Sequence, residues 1–205
     1  MDTQPRSWAI DRPVTSPFAK PAGVLGRLAG WFMLWTNRQA DLLEVLRVRP
    51  GQHVLEVGYG PGGLVRLLAE RSGAALIRGV DPAPVMREQA TKINRAAVNA
   101  GRVELGLGSA EHTGLADHSV DLAVSVNNVA IWPDLQAGLG ELRRVLRPGG
   151  TLVIAWHGGT APSSIGKRLR LPDDKSRFIE SSLQDLFPEV TRQQLKTLDV
   201  FSATG

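Results

Sequence analysis

The sequence predicts a doubly wound α/β fold built on a mostly parallel, seven-stranded sheet. Short stretches that are apolar throughout alternate with longer stretches whose apolar residues recur at helical spacing, which is the pattern of βαβ units. Strands that are apolar on both faces indicate a parallel sheet covered by helices on either side. Near residue 205, two strand-like segments are separated only by Leu198 and Asp199, which predicts an antiparallel hairpin at the sheet edge.

Each element has a signal of its own. Parallel strands are predicted in the apolar stretches at 53–58, 75–80, 103–107, 121–126 and 151–156. A helix is predicted at 63–71, and the next helix carries Met86, Ala90, Ile93 and Ala97 on one side. Asp134 is suited to cap a further helix, which the Arg-Pro-Gly-Gly of residues 147–150 ends. A helix around 176–187 and strands at 190–197 and 200–204 complete the fold.

The composition favours one globular domain without thiol chemistry. The chain has 205 residues and no Cys, which excludes disulfides, thiolate nucleophiles and Cys-ligated metals. We expect no metal site. Residues 1–11 lack the apolar core of a signal peptide, and the apolar stretch 24–35 is shorter than the roughly 20 residues that span a bilayer. A cytoplasmic chain without an integral membrane segment is therefore expected.

The charge balance is basic but not patterned. Lys and Arg number 24 against 20 Asp and Glu, giving a net charge of +4. The Lys and Arg residues are scattered along the chain rather than gathered in a stripe, so we expect a small-molecule partner and no nucleic acid. A nucleic-acid-binding protein is the rival hypothesis. The densest basic group, 167–177, is interrupted by Asp173 and Asp174, and we interpret it as a solvated surface, with an anionic partner as the alternative.

The loop after the first strand has the pattern of a nucleotide site. Gly58, Gly60 and Gly63 stand in a G-x-G-x-x-G arrangement between a strand and a helix. Asp81 ends the second strand 19 residues beyond Gly62, where a carboxylate can accept both ribose hydroxyls. This pattern fits a nicotinamide dinucleotide and S-adenosylmethionine alike.

Two residues favour the second ligand. Pro61 has no N–H, so it removes a donor that a pyrophosphate would use. Glu56 adds a negative charge beside the loop. S-adenosylmethionine carries an ammonium and a sulfonium, and a carboxylate favours both.

Four segments together resemble the class I S-adenosylmethionine-dependent methyltransferases of the small ubiquinone-biosynthesis-like kind. They are LEVGYGPG at 55–62, GVDPAPVM at 79–86, GSAE at 108–111 and LRRVLRPGG at 142–150. The resemblance runs from about Asn37 to Gly159. It implies S-adenosylmethionine as the methyl donor, S-adenosylhomocysteine as the product and a small-molecule acceptor.

The alternatives are an NAD(P)-dependent oxidoreductase and a fold relative that binds S-adenosylmethionine for non-methylating chemistry. The single tyrosine, Tyr59, lies in the glycine loop and leaves no Tyr/Lys pair for a short-chain dehydrogenase.

The resemblance also assigns cofactor residues. Those implied are Glu56, Gly58, Tyr59, Gly60, Asp81, Pro82, Met86, Ser109, Ala110, Glu111 and Asn127. The glycines let the backbone approach the methionine moiety, with Glu56 near its amino group. Asp81 holds the ribose, and Pro82 and Met86 pack near the adenine. Ser109 stands where the family usually has Asp, so weaker adenine binding is expected.

The acceptor side is implied with less detail. His157 ends the fifth strand beside the expected acceptor cavity, and it is either a general base or a satisfied loop histidine. Trp31, Phe32 and Trp35 recur at helical spacing, which fits core packing or, by the resemblance, a lid over the acceptor pocket. Tyr59 and Trp132 are expected to line the same cavity.

The chain is thereby divided into an N-terminal arm and helical lid at 1–50 and a cofactor-binding domain at 51–205. An aromatic lid suits a hydrophobic or aromatic acceptor or a lipid, which leaves peripheral lipid contact open. The sequence predicts neither the acceptor atom (O, N or C) nor the oligomeric state.

Overall fold

One mixed sheet organises the chain, and the predicted doubly wound fold is confirmed. The computed structural model describes residues 7–9 and 40–205. The strands are β1 His53–Val57, β2 Leu76–Asp81, β3 Val103–Leu107, β4 Val120–Val126, β5 Leu146–His157, β6 Glu189–Gln194 and β7 Leu198–Thr204. Their order in the sheet is β3-β2-β1-β4-β5-β7-β6. Strands β1 to β5 pair in parallel, and β7 runs antiparallel to both of its neighbours.

Helices cover both faces of this sheet. They are α1 Ala40–Leu46, α2 Gly63–Arg71, α3 Pro84–Ile93, α4 Arg95–Asn99, α5 Leu135–Val145, α6 Ser164–Leu169 and α7 Asp173–Gln184, with a 3-10 turn at Val129–Ile131. Buried side chains of α5 and α7 form one apolar cluster with the sheet, and those of α1, α2 and α3 form another. Consecutive residues of β1, such as Val54 and Leu55, enter different clusters, as expected of a parallel strand buried on both faces.

The expectation of one continuous helix from Met86 to Ala97 is wrong. The chain forms α3 and α4, which meet at Asn94. The Asn94 side chain donates to the carbonyl of Ala90 at 2.9 Å and to that of Gly62 at 3.2 Å. An Asn that bonds neighbouring backbone competes with regular helix geometry, and the second bond ties this corner to the loop after β1.

The closing hairpin is confirmed, but its turn lies elsewhere. Residues 195–197 connect β6 and β7, whereas Leu198 and Asp199 belong to β7 and pair with His157 and Trp156. The Asp199 carboxylate accepts two bonds from the Arg192 guanidinium, at 2.6 and 3.1 Å. Pairing with β5 places both residues in the strand, and the ion pair with the half-buried Arg192 holds Asp199 there.

The topology also fixes where a ligand binds. From β1 the chain winds outward through β2 and β3, then returns to place β4 on the other side of β1. Ligands of open α/β sheets bind beyond the carboxyl ends of the strands at such a reversal, here between β1 and β4. Trp31, Phe32 and Trp35, the predicted lid, lie outside the described residues. None of the helices at 40–205 is long and apolar enough to cross a membrane.

Candidate functional site

Two buried carboxylates lie at the carboxyl ends of β1 and β2. Glu56 is 3% exposed and Asp81 is 7% exposed. Burial raises the pKa of both, and the charge of Asp81 raises the pKa of Glu56 further. The backbone N–H of Val65, in the first turn of α2, opposes this rise in the pKa of Glu56. Two neighbouring carboxylates in a desolvated site favour a cationic ligand.

The two oxygens of Glu56 are not equally satisfied. Within the described part of the chain, its Oε2 atom is buried and has no hydrogen-bond partner. An unpartnered buried carboxylate oxygen is costly unless a ligand or an ordered water donates to it.

Asp81 differs, because the backbone engages both of its oxygens. Oδ2 accepts the N–H of Gly60 at 2.9 Å, and Oδ1 accepts the N–H of Ala83 at 2.9 Å. The carboxylate thus joins the loop after β1 to the loop after β2. A carboxylate oxygen accepts more than one hydrogen bond, so hydroxyl groups of a ligand can still be received.

Glycines at 58, 60 and 62 give the loop after β1 its shape. Their φ angles are +71°, +52° and +85°, in the left-handed region that residues with a Cβ rarely adopt. A Cβ at Gly58 would lie 1.4 Å from Nδ2 of Asn128. The first glycine is therefore required by the protein's own packing as well as by any close approach of a ligand.

The residue that fills this space, Asn128, was not predicted as a site residue. It is 8% exposed, and its Nδ2 donates to the carbonyl of Val57 at 2.5 Å. Its Oδ1 accepts the Ser125 hydroxyl at 2.5 Å and the indole N–H of Trp132 at 2.8 Å. The available signal was two successive asparagines after an apolar strand, with a tryptophan four residues later.

On the far side of the site, a loop follows β3. The Ser109 hydroxyl donates to Oε2 of Glu111 at 3.4 Å, and the other oxygen of Glu111 accepts the N–H of Asp134 at 3.0 Å. A serine that donates its hydrogen to a carboxylate keeps its lone pairs for an external donor. Ala110 is buried beside this pair.

Pro82 and Met86, both assigned to the adenine by the resemblance, are placed differently. Pro82 is exposed at the carboxyl end of β2, whereas Met86 is 2% exposed and belongs to the apolar cluster of α2 and α3. Their packing near an adenine stays a prediction.

Asn127 and His157 mark the ends of β4 and β5. Asn127 has a φ of +56°, and its N–H donates to the carbonyl of Ala155 at 2.8 Å, which ties the end of β4 to β5. His157 is half-buried, and its ring meets that of Trp156 edge-on with centroids 5.4 Å apart. Burial lowers the pKa of His157 below 6.5, so its imidazole is neutral at pH 7 and can accept a proton.

That Tyr59 and Trp132 line one cavity stays a prediction, and the two rings pack in different apolar clusters. Tyr59 belongs to the apolar cluster of α2 and α3, and its hydroxyl donates to the carbonyl of Gly106 at 3.0 Å. Trp132 belongs to the cluster of α5 on the opposite face of the sheet. Burial, followed by the charge of Asp81, raises the pKa of Tyr59, so the phenol stays protonated.

Within 7–9 and 40–205, no three His, Asp or Glu residues are grouped so as to hold a metal ion.

Comparison with known proteins decides between the two cofactors. A methyltransferase domain family matches residues 55–154. The chain is 30% identical over 139 residues to the uncharacterized methyltransferase YdaC of Bacillus subtilis. The aligned residues cover 67% of this chain and 75% of YdaC. The chain belongs to the class I S-adenosylmethionine-dependent methyltransferase family.

Other similarities of this methyltransferase agree. It is 29% identical over 164 residues to an O-methyltransferase of Pyrenophora dematioidea, of whose length it spans 61%. The crystal structure of a putative S-adenosyl-L-methionine-dependent methyltransferase from Methanococcus maripaludis has the same fold, with a TM-score of 0.70 at 18% identity over 86% of this chain and 92% of that one.

The site of the methyltransferase fits S-adenosylmethionine. The cofactor carries an ammonium and a sulfonium, and the site has two buried carboxylates with Oε2 of Glu56 unpartnered by any described residue. A pyrophosphate would meet these same charges unfavourably, and Pro61 offers it no N–H.

Proposed function

We propose that this methyltransferase methylates a small, apolar or aromatic acceptor at an oxygen, nitrogen or carbon atom. The observation that carries the proposal is the half-buried, neutral His157 at the end of β5, beside the β4 terminus at Asn127. A neutral imidazole on the acceptor side is suited to an acceptor that loses a proton. The aromatic residues Trp31, Phe32 and Trp35 support an apolar acceptor on sequence grounds.

Residues at the carboxyl ends of the strands bind different parts of the cofactor. Glu56 receives the amino group, directly or through water, and Asp81 receives the ribose hydroxyls. Ser109 and the backbone of Ala110 address the adenine, with Glu111 orienting the serine hydroxyl. Bound S-adenosylmethionine supplies an electrophilic methyl group on a cationic sulfur.

The protein contributes position and proton transfer. Asn127 follows β4 and bonds β5 through its backbone N–H, and we place its side chain at the methionine end, facing the acceptor. His157 accepts the proton of a hydroxyl or amine acceptor. Much of the rate of such a displacement comes from holding the two reactants in line at near-attack distance. Trp132 remains an acceptor-side candidate from the β4–α5 loop, independently of Tyr59.

Labelled S-adenosylmethionine tests the acceptor class without knowledge of the acceptor. A cell extract is divided into an organic-solvent fraction and an aqueous fraction, and each is incubated with enzyme and methyl-labelled cofactor. We expect labelled products, one added methyl group heavier, in the organic fraction, and a strong loss of them with His157→Gln. Label only in the aqueous fraction contradicts an apolar acceptor. Binding of the cofactor with no labelled product in either fraction favours non-methylating chemistry.

A further inference from the structure

We propose that Asn128 is a positioning residue that sets the affinity of the methyltransferase for its cofactor. Its amide acts through the backbone of Val57 and Gly58, at the start of the glycine loop. Ser125 and Trp132 orient the amide. The proposal rests on the family's cofactor, and it adds a determinant of cofactor binding contributed by the loop between β4 and α5.

The orientation of the amide is fixed by its partners. Oδ1 accepts two hydrogens, from the Ser125 hydroxyl at 2.5 Å and from the Trp132 indole at 2.8 Å. Both of those groups are donors here, so the oxygen must face them and the NH₂ group must face away. The NH₂ group then lies 2.5 Å from the carbonyl oxygen of Val57. Asn128 therefore has one amide orientation that satisfies all three partners.

Asn128 extends the pairing of β1 with β4 beyond the last strand residues. The backbone register of the two strands ends at Val57 and Ser125. Beyond it, Asn127 turns away, and its N–H bonds the carbonyl of Ala155 in β5. The Asn128 side chain supplies the donor that the β4 backbone no longer offers to β1.

The same amide restrains Gly58 by contact. A Cβ at Gly58 would meet Nδ2 of Asn128 at 1.4 Å and its Cγ at 2.6 Å, so the amide lies against the Gly58 backbone. Gly58 has a φ of +71°, and its N–H donates to the carbonyl of Val80 at 2.8 Å. Asn128 from one side and β2 from the other thus hold the first turn of the glycine loop.

Helix α5 holds Trp132, and through Trp132 it holds the Asn128 side chain. The Trp132 ring packs so closely against α5 that a Cβ at Gly138 would lie 2.7 Å from it. Any change that moves Trp132 is therefore transmitted through one hydrogen bond to Asn128, and from Asn128 to the glycine loop. Cofactor affinity should then depend on residues that do not themselves reach the cofactor.

Calorimetric titration of the full chain with S-adenosylhomocysteine tests this. Asn128→Asp keeps the shape but turns an acceptor toward the Val57 carbonyl, and we expect the Kd to rise about tenfold or more. Trp132→Phe and Ser125→Ala each remove one orienting donor, and we expect smaller rises of about three- to tenfold. The matched control is Ser182→Ala, which removes an equally buried hydroxyl that accepts from Gln136 at 2.8 Å, and its Kd should stay at the wild-type value.

A second comparison separates positioning from general stability. Gly58→Ala is made in the wild type and in Asn128→Ala, where the amide that the methyl group would meet at 1.4 Å is gone and the Cβ of residue 128, at 3.2 Å, remains. We expect the methyl group to weaken S-adenosylhomocysteine binding less in the second background, because the clash with Asn128 is gone. Equal losses in both backgrounds would overturn the proposal, as would wild-type Kd values for folded Trp132→Phe and Asn128→Asp. Failure of the wild-type chain to bind S-adenosylhomocysteine would instead contradict the cofactor assignment itself.

Discussion

The backbone N–H of Gly60 donates to Oδ2 of Asp81 at 2.9 Å, across 21 residues of sequence. Since Oδ1 of the same carboxylate accepts the N–H of Ala83, one side chain holds two loops of the cofactor site. Asp81 thus organises the protein before any ligand is bound.

Asp81→Asn should therefore destabilise the fold as well as weaken binding. The amide places an NH₂ group against one of the two backbone N–H donors, which leaves a buried donor unpaired. We expect a loss of about 1–3 kcal/mol in the free energy of unfolding and a rise of at least about tenfold in the Kd for S-adenosylhomocysteine. Urea denaturation and calorimetry measure the two effects. An Asp81→Asn chain of wild-type stability would show that the two loops do not depend on this carboxylate.

Glu56→Gln should have the opposite effect on stability. Burial and the charge of Asp81 raise the pKa of Glu56 above 4.5, so the folded state binds more protons than the unfolded state above that pH. Wild-type stability therefore falls as the pH rises through the raised pKa, and a neutral glutamine avoids this loss. We expect the variant to be more stable at pH 7 by roughly 1 kcal/mol, yet to bind S-adenosylhomocysteine about tenfold more weakly.

Urea denaturation of Glu56→Gln and of the wild type at pH 5 and pH 8 checks the sign of this pH dependence. The stability advantage of Glu56→Gln should be larger at the higher pH. If Glu56→Gln is less stable than the wild type at pH 8, Oε2 of Glu56 has a partner in the free protein, and the argument from that unpartnered oxygen fails.

The titration of His157 gives a third prediction. Burial lowers its pKa below 6.5, so the unfolded state binds more protons between the folded pKa and 6.5. The contribution of His157 to stability is present above about pH 6.5 and is lost as the pH falls through that window. An NMR titration, with His157→Gln to assign the signal, should show a midpoint below 6.5. A midpoint above 6.5 would indicate an anionic neighbour and remove the basis for a neutral base at pH 7.

Two glycines of α5 provide a matched pair for the packing of Trp132. At Gly140 an added Cβ meets nothing within 4 Å, so Gly140→Ala should stabilise the chain by about 0.5–1 kcal/mol through helix propensity alone. At Gly138 the same methyl group meets the Trp132 ring at 2.7 Å, and we expect a net loss of about 1–3 kcal/mol. Denaturant melts of the two variants measure the difference. Equal stabilisation by both would show that Trp132 does not pack on Gly138.

The order of the elements could be predicted from sequence because it depends on local patterns. Helix α2 lies at Gly63–Arg71 and β3 at Val103–Leu107, as predicted, since apolar periodicity reports burial directly. The break at Asn94 has no Gly or Pro to announce it. It depends on a bond to Gly62, 32 residues away, that only the folded chain provides.

In the candidate site too, the features set by local sequence could be predicted and those set by long-range contacts could not. The glycine loop, Glu56 and Asp81 could be recognised because their spacing follows from one βαβ unit. Asn128 could not, because its bond to Val57 joins residues 71 positions apart in the sequence. The packing of Tyr59 and Trp132 in different apolar clusters could not be predicted either, because an aromatic side chain carries no sequence signal for the cluster that it joins.

Calorimetric titration of the full wild-type chain with S-adenosylhomocysteine and, separately, with NAD(H) tests the central claim most directly. A site with two buried carboxylates and an unpartnered Glu56 oxygen should bind S-adenosylhomocysteine, lose affinity for it in Glu56→Gln, and show no heat of binding with NAD(H). Binding of NAD(H) without binding of S-adenosylhomocysteine would contradict the assignment of this chain's cofactor.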